Sequence, residues 1–513
     1  MRRLLVIAID ALDAAQVERF SDALPNINRL RQEGFYARLN SVWPPDSETA
    51  WASIYTGWNP ARHGIFEFVD PLEKTTTYVA KERNNAVLRG HTFWDLASAA
   101  GRNVCVLFPH IGYPSWPING MMVSRASVEA DISVEPLVEA SRYDFSGLSG
   151  VKGLVGRRHE SYVQACRELV ERQLALNLRV LGERPWDLCF TYWSTLDLVQ
   201  HQYWAYCDPE DPTFPGDTPL RHVIRDFYAM HDRVIGELIQ QAGSNTTVMV
   251  LSDHGHGMRP VNILNINRLL REHGLLHVKS SGGATNQTTL RRLRNGVMDF
   301  VTRNELGNVA AKLLKLAPWA KKMYISTSRL DLDRTIAYIT DMSGIKAYSY
   351  GGVQIAQRNL DGRSYEAVRD EVMRLLLEVQ APDPDSGPVV RWIKPREELY
   401  AGPYLSRYPD LVFELQPGYG AGWDATGPLF DVSLSHNLYP GSHLGSNALF
   451  MLAGPDAQRV ARAPDSLMDI APTVLDILGV PGPAEIDGRS VFASNRGAQS
   501  ISSTQGCVNR WQL

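Results

Sequence analysis

The sequence predicts an α/β protein, with a mostly parallel sheet, helices on both faces and an inserted cap. Three observations predict it. Apolar runs of strand length, LLVIAID at the start and TTVMVLSD at mid-chain, end in aspartate, as strands buried on both faces do when they deliver a polar group at a sheet's carboxyl edge. Helical text separates such runs, opened by Pro or Thr and closed by Gly. Between residues 262 and 334 that alternation gives way to basic helical text.

In chain order, residues 4–10 form the first strand, and a helix follows from Pro25 to Gly34. A second helix starts near Thr92, stops at Gly101 and leads into a strand over Asn103–Phe108. Residues 126–158, rich in Gly and Ser, read as an irregular insertion. The helix His159–Leu181 feeds the strand Trp186–Trp193, and the amphipathic helix Arg221–Gln241 feeds the strand Thr247–Leu251. After the 262–334 cap, the core resumes with a helix at Tyr365–Val379, strands at Leu411–Leu415 and Ala448–Ala453, and a last helix over Asp465–Gly479. The domain reading is therefore a catalytic core over 1–261 and 335–492, a helical cap at 262–334, and a loose polar tail at 493–513.

At 513 residues and 44% apolar content the chain can bury a large core. Its net charge of −4 and pI near 6.4 argue against nucleic acid as the main partner. Cys105, Cys166, Cys189, Cys207 and Cys507 show no CxxC spacing and read as reduced, packed thiols. The start MRRLLVIAIDALDAA mimics a signal peptide, but Asp10 and Asp13 interrupt its short apolar run, so a first strand is the better reading. With no window near the roughly 18 apolar residues of a membrane span, the expectation is a cytoplasmic protein.

The stretch Pro44–Gly64, PPDSETAWASIYTGWNPARHG, sets small hydroxyls between a Pro-Pro turn and a helix. Ser47 is the candidate nucleophile, because the first turn of a helix offers unpaired N–H groups and a positive dipole end. Thr49 remains an alternative, and on its own either hydroxyl would pass for a helix cap. Metal-ligand residue types lie elsewhere: Asp10, Asp253 and His254 after strands, Asp197 and His201 four apart on one helix face, and His443 in PGSHLG. His436, seven residues earlier, is the less favoured loop histidine. His63 reads as a structural turn residue and His110 as a satisfied loop histidine. His256 either touches substrate or orients a ligand, and Met258 is weaker still.

The stretches LLVIAIDALD, PNINRLRQEGF, PPDSETAWASIYTGWNPARHGIFEF, LDLVQHQYW, SDHGHGM, GSHLGSNALFMLAGP and SLMDIAPTVLDILGVPGPAEIDGRSV occur in the order found in a known family. Through them the chain resembles the type I phosphodiesterase/nucleotide pyrophosphatase family of the alkaline phosphatase superfamily. The resemblance implies an alkaline-phosphatase-like core with one ion on Asp197, His201 and His443 and another on Asp10, Ser47, Asp253 and His254. Three Asp and three His suit divalent ions of borderline softness, with Zn²⁺ the first choice and Mn²⁺ or Fe the alternatives. The implied function is a two-metal hydrolase of phosphodiesters or related phosphate esters, acting on a small molecule through a phosphoseryl intermediate. A phosphomonoesterase, sulfatase-like enzyme or phosphotransferase on the same site is one alternative, and a catalytically silent ligand-binding homologue is another. The basic cap face reads first as solvated surface, ahead of a patch for an anionic leaving group or for a membrane surface. Three departures from the family stand out: Ser47 where many members have Thr, Ala50 where nucleotide-hydrolysing relatives have Asn, and Glu48 beside the nucleophile.

Overall fold

The computed structural model describes residues 2–66, 85–126, 131–151, 160–279, 330–340, 347–433 and 435–492. Eight strands build the central sheet: β1 (Arg3–Ile9), β2 (Phe35–Leu39), β3 (Val104–Leu107), β4 (Gly120–Arg125), β5 (Ile132–Glu135), β6 (Leu188–Trp193), β7 (Thr246–Leu251) and, late in the chain, Ala448–Ala453. From β7 through β1, β6 and β3 to β4 the strands run parallel. The late strand Ala448–Ala453 is antiparallel to both β7 and β2, and β5 closes the far edge antiparallel to β4.

Alternation along β1 explains why helices cover both faces. Leu5, Ile7 and Ile9 pack on one side with the helices Glu160–Glu183, Thr195–Cys207 and Val223–Ala242. Leu4, Val6 and Ala8 pack on the other with Ser47–Thr56, Phe93–Ala99 and Ile470–Leu478. Strands covered on both faces must be apolar at every position, which is the pattern the sequence shows.

Nine further strands among the described residues form smaller sheets. Between β7 and the middle of the chain come β8 (Gly255–Met258) and β9 (Asn262–Asn265), and then β10 (Ala337–Thr340), β11 (Tyr350–Ile355), β12 (Val390–Pro395) and β13 (Leu411–Leu415). Strands β10 to β13 make an antiparallel sheet in the order β10-β11-β13-β12, with the helix Tyr365–Leu377 in the same apolar cluster. The first part of the expected 262–334 cap joins this cluster. Leu264, Ile266, Leu269 and Leu270, on β9 and the helix Ile266–Glu272, are buried with Ile336 and Val353, so the span opens with core strand and helix. Residues 280–329 lie outside the described residues, as does the 493–513 tail. Within the 126–158 stretch, expected to be irregular, β5 is an edge strand whose four residues are too short for periodicity to reveal.

Downstream lie β14 (Tyr419–Gly422) and β15 (Phe430–Val432), which flank β9. Next come β16 (Gly441–Leu444), paired with β8, and the Ala448–Ala453 strand, β17. Cys105 and Cys189 sit in register on β3 and β6 as buried free thiols, and Cys166 and Cys207 are also free. No helix among the described residues is long and apolar enough to cross a membrane.

Candidate metal centre

Three adjacent parallel strands deliver most of the site. Asp10 directly follows β1, and Asp253 and His254 follow its neighbour β7. Asp197 and His201 project from the helix Thr195–Cys207, which follows β6 on the other side of β1. His443 arrives from a separate ribbon, on β16 opposite His256 of β8. Gly255 is required between the two histidines, since a Cβ there would lie 2.2 Å from the Ser446 carbonyl oxygen and 2.6 Å from Asp13 Oδ2. The backbone reaches the site under strain at Ala11, which has φ 57° and lies 3.3 Å from Asp253 Oδ1 as an N–H donor.

The ligand types gather in two groups, each with its donor atoms within 4.8 Å of one another. In the first, His254 Nε2 lies 3.5 Å from Asp10 Oδ1 and 3.3 Å from Asp253 Oδ2, and Ser47 Oγ is 3.2 Å away. In the second, Asp197 Oδ1 lies 3.4 Å from His201 Nε2 and 3.6 Å from His443 Nε2. His254 and His443 stack with ring centroids 4.0 Å apart and join the groups. Bonds of about 2.0–2.2 Å to a tetrahedral ion separate neighbouring ligand atoms by about 3.3–3.6 Å, so these spacings suit such an ion.

Hydrogen bonding prepares the imidazoles for that role. His201 Nδ1 faces the Gly441 carbonyl at 2.9 Å, His443 Nδ1 that of Pro45 at 3.1 Å and His254 Nδ1 that of Gly255 at 3.0 Å. A carbonyl accepts only, so each Nδ1 carries the proton and each Nε2 offers a lone pair. The Nε2 atoms of His201 and His443 then face each other at 2.9 Å, an arrangement of two acceptors that calls for a cation. The buried oxygens Asp10 Oδ1, Asp197 Oδ1 and Asp253 Oδ2 accept no hydrogen bond among the described residues. These are the oxygens that face the imidazoles, and the whole set fits a pair of divalent ions.

Electrostatics agree with the geometry. Burial, then repulsion from Asp253 and Asp197, pushes the Asp10 carboxyl well above its usual range. Asp253 is pushed up to about 8, by burial first and with Asp197 adding to it. Burial would raise Asp197 too, but His201, with the His256 and His443 imidazoles beside it, holds it well below the ordinary value. Burial and the neighbouring His254 bring His443 down to about 3. Three carboxylates crowded in this way stay ionised together only against added positive charge.

Ser47 is the first residue of the helix Ser47–Thr56 and is 8% exposed. Of the two candidate hydroxyls it is the one beside the ligand groups. Thr49 is 0% exposed, and its Oγ1 has no hydrogen-bond partner among the described residues. His63 has the structural role expected, accepting from Ile65 N at Nδ1 and lying 3.0 Å from Ser53 Oγ through Nε2. His436 is likewise structural, held between the Arg259 carbonyl and Asp211. His256 points Nδ1 at Asp197 Oδ1 from 3.5 Å, and neither of its ring nitrogens has a hydrogen-bond partner among the described residues. The satisfied-loop reading of His110 fails. Its Nδ1 lies 3.3 Å from Tyr192 Oη, its Nε2 has no hydrogen-bond partner among the described residues, and Glu48 is 3.9 Å away.

Several contributors gave no signal in the sequence. Tyr192, deep in an apolar strand, donates its hydroxyl to Asp10 Oδ2. Asp13 caps the helix Ala14–Arg19 and accepts the His256 N–H. Gln200 binds the Ala11 carbonyl, and Arg259 is fully buried beneath β16.

Burial pushes His63 down to about 3 from its ordinary 6.5. Both states are neutral there above pH 6.5. As pH falls toward 3 the unfolded chain takes up a proton that the folded chain refuses, so stability is lost at about 1.4 kcal/mol per pH unit. In urea denaturation, His63→Gln is expected to shrink the stability difference between pH 7 and pH 5 by about 2 kcal/mol. An unchanged difference would refute a neutral buried imidazole.

Residues 4–428 match the family model described as type I phosphodiesterase / nucleotide pyrophosphatase. Among solved structures the chain is similar to murine ectonucleotide pyrophosphatase/phosphodiesterase 5, in an inactive form in complex with AMP. That match has 12% identity and a TM-score of 0.50, covering 94% of this chain and 96% of that one. A second structure of the murine protein matches at 13% identity and a TM-score of 0.49, covering 94% and 96%. At 12% identity the likeness bears on the fold, which is alkaline-phosphatase-like. Comparison with curated proteins gives no significant match. His443 lies beyond the matched residues, so its place at the site rests on geometry.

Proposed function

The chain belongs to the type I phosphodiesterase/nucleotide pyrophosphatase family, and from that premise we propose that it is a two-metal hydrolase of small phosphodiesters or related phosphate esters. One observation carries the metal dependence: three buried carboxylate oxygens without hydrogen-bond partners among the described residues face imidazole Nε2 atoms, and the Ser47 hydroxyl lies 3.2 Å from one of those nitrogens. Asp10, Asp253 and His254, with Ser47, would hold one ion, and Asp197, His201 and His443 the other. Such ions supply Lewis acidity, lowering the pKa of the hydroxyl and offsetting charge on the phosphoryl and leaving oxygens. Zn²⁺ suits the N/O donor set best, with Mn²⁺ or Fe as alternatives.

Ser47 Oγ gives up its proton to solvent and attacks phosphorus in line with the leaving ester oxygen. The P–O bond to that oxygen breaks, the oxygen keeps the electron pair and takes a proton from water, and a phosphoseryl ester remains. Water then attacks the same phosphorus, releasing a phosphate monoester and restoring the hydroxyl. The first-turn N–H groups of the Ser47–Thr56 helix have no acceptor within the helix and can bind a phosphoryl oxygen, in place of the side-chain donor that Ala50 lacks. Glu48 sets negative charge beside the nucleophile and favours a singly charged diester over a dianionic monoester.

Metal analysis is expected to find about two divalent ions per chain. Chelation should abolish turnover of bis(4-nitrophenyl) phosphate, and added Zn²⁺ should restore it. The diester should react at least about 10-fold faster than 4-nitrophenyl phosphate or 4-nitrophenyl sulfate, a gap of about 1.4 kcal/mol. A faster monoester or sulfate would overturn the diester assignment, and full activity after chelation would overturn the metal.

A further inference from the structure

Resting on the two-ion reading above, we infer that Arg259 is a positioning residue for the second ion, fixing the His201 imidazole through the carbonyl of Gly441. Arg259 follows β8 and is 0% exposed. Its contacts fall on three successive carbonyls that lead into β16. Nε donates to Tyr439 O at 2.5 Å, the backbone N–H to Pro440 O at 2.7 Å and Nη2 to Gly441 O at 2.8 Å. The Gly441 oxygen also accepts the Nδ1–H of His201, so one carbonyl is shared by the guanidinium and a ligand imidazole. The guanidinium lies 5.2 Å from the ring centroid of Tyr348, and Tyr348 stacks against His443 at 5.8 Å. Arg259 thus braces both histidines of the second group.

Space is tight there. A Cβ on Gly441 would lie 2.3 Å from the Gln200 carbonyl oxygen and 2.6 Å from His256 Nε2, so the segment is held hard against the Thr195–Cys207 helix. Among the described residues the groups acting on the Arg259 guanidinium are tyrosines and no carboxylate, and its Nη1 has no hydrogen-bond partner. A buried guanidinium without a counter-charge costs stability that an apolar side chain of similar size would not. What it gives in return is a fixed carbonyl. The first group does not use that carbonyl, because His254 Nδ1 is oriented by Gly255 O instead.

The test titrates Zn²⁺ against a chromogenic chelator in wild type, Arg259→Met and Arg259→Lys. Arg259→Met is expected to keep one Zn²⁺ at wild-type affinity and to bind the other about 10- to 100-fold more weakly. Arg259→Lys, which keeps the charge but offers two carbonyls one compact ammonium, should fall between. Equal weakening of both ions, or no weakening of either, overturns the inference. If Arg259→Met proves unfolded by far-UV circular dichroism, Arg259→Lys carries the same two outcomes. Fewer than two Zn²⁺ in wild type removes the two-ion reading itself, whereas two in wild type without selective loss in the variants removes this inference alone.

Discussion

Ser47→Ala is expected to lower kcat on bis(4-nitrophenyl) phosphate by at least about 10³-fold, while the protein stays folded and keeps its ions. The hydroxyl lies beside the ligand groups, 3.2 Å from His254 Nε2, and its loss leaves the six candidate Asp and His ligand residues in place. Residual turnover would come from water attacking the bound ester directly. Thr49→Ala should stay within a few-fold of wild type, because its hydroxyl is enclosed and has no hydrogen-bond partner among the described residues. A fall in kcat with little change in KM marks a group used in the reaction rather than in binding. Activity surviving in Ser47→Ala and lost in Thr49→Ala would move the nucleophile.

Asp253→Asn is expected to separate function from stability. Asp253 presents Oδ2 to His254 and takes the Ala11 N–H on Oδ1, so an amide keeps the shape but removes a charged ligand. Metal content should fall toward one ion per chain, and kcat should drop by about 10³-fold or more. In chelated protein the sign reverses. Burial pushes the Asp253 carboxyl up to about 8 from an ordinary 3.8, so this group's contribution to stability is lost as pH rises from about 4 toward 8. The amide does not ionise and escapes that loss. Chelated Asp253→Asn should therefore melt above chelated wild type at pH 8, by about 2 °C or more. A lower melting temperature would show that no uncompensated charge is stored at this position.

Much of this architecture could be read from the chain. Strands covered on both faces leave uninterrupted apolar runs, and for this reason Ala448–Ala453 agrees with the structure at both ends. Strand direction leaves no such trace, so β17 gave no sign that it runs antiparallel to β7. Asp10, Asp253 and His254 were legible because they end apolar runs. The Asp197 and His201 pair was legible from helical spacing, whereas His443 came from family resemblance. The basic helical text within 262–334 points to a cap, but periodicity reveals an amphipathic face and not what that face packs against, so the burial of Leu264, Ile266, Leu269 and Leu270 leaves no trace in the sequence. Arg259 and Tyr192 were beyond reach. A lone arginine reads as surface and a tyrosine in a strand reads as packing, and only tertiary structure shows the carbonyls and the carboxylate they meet.

In the central sheet β2 has a single neighbour, β17, whose residues come more than four hundred positions later. A nascent chain leaving the ribosome therefore carries β2 with no strand to pair with until residue 448 has emerged, and His443 appears only five residues before that. The first group of ligand residues is synthesised by residue 254, but the second must wait for residue 443. Pairing of β2 and assembly of the second group thus fall in the same short stretch of translation.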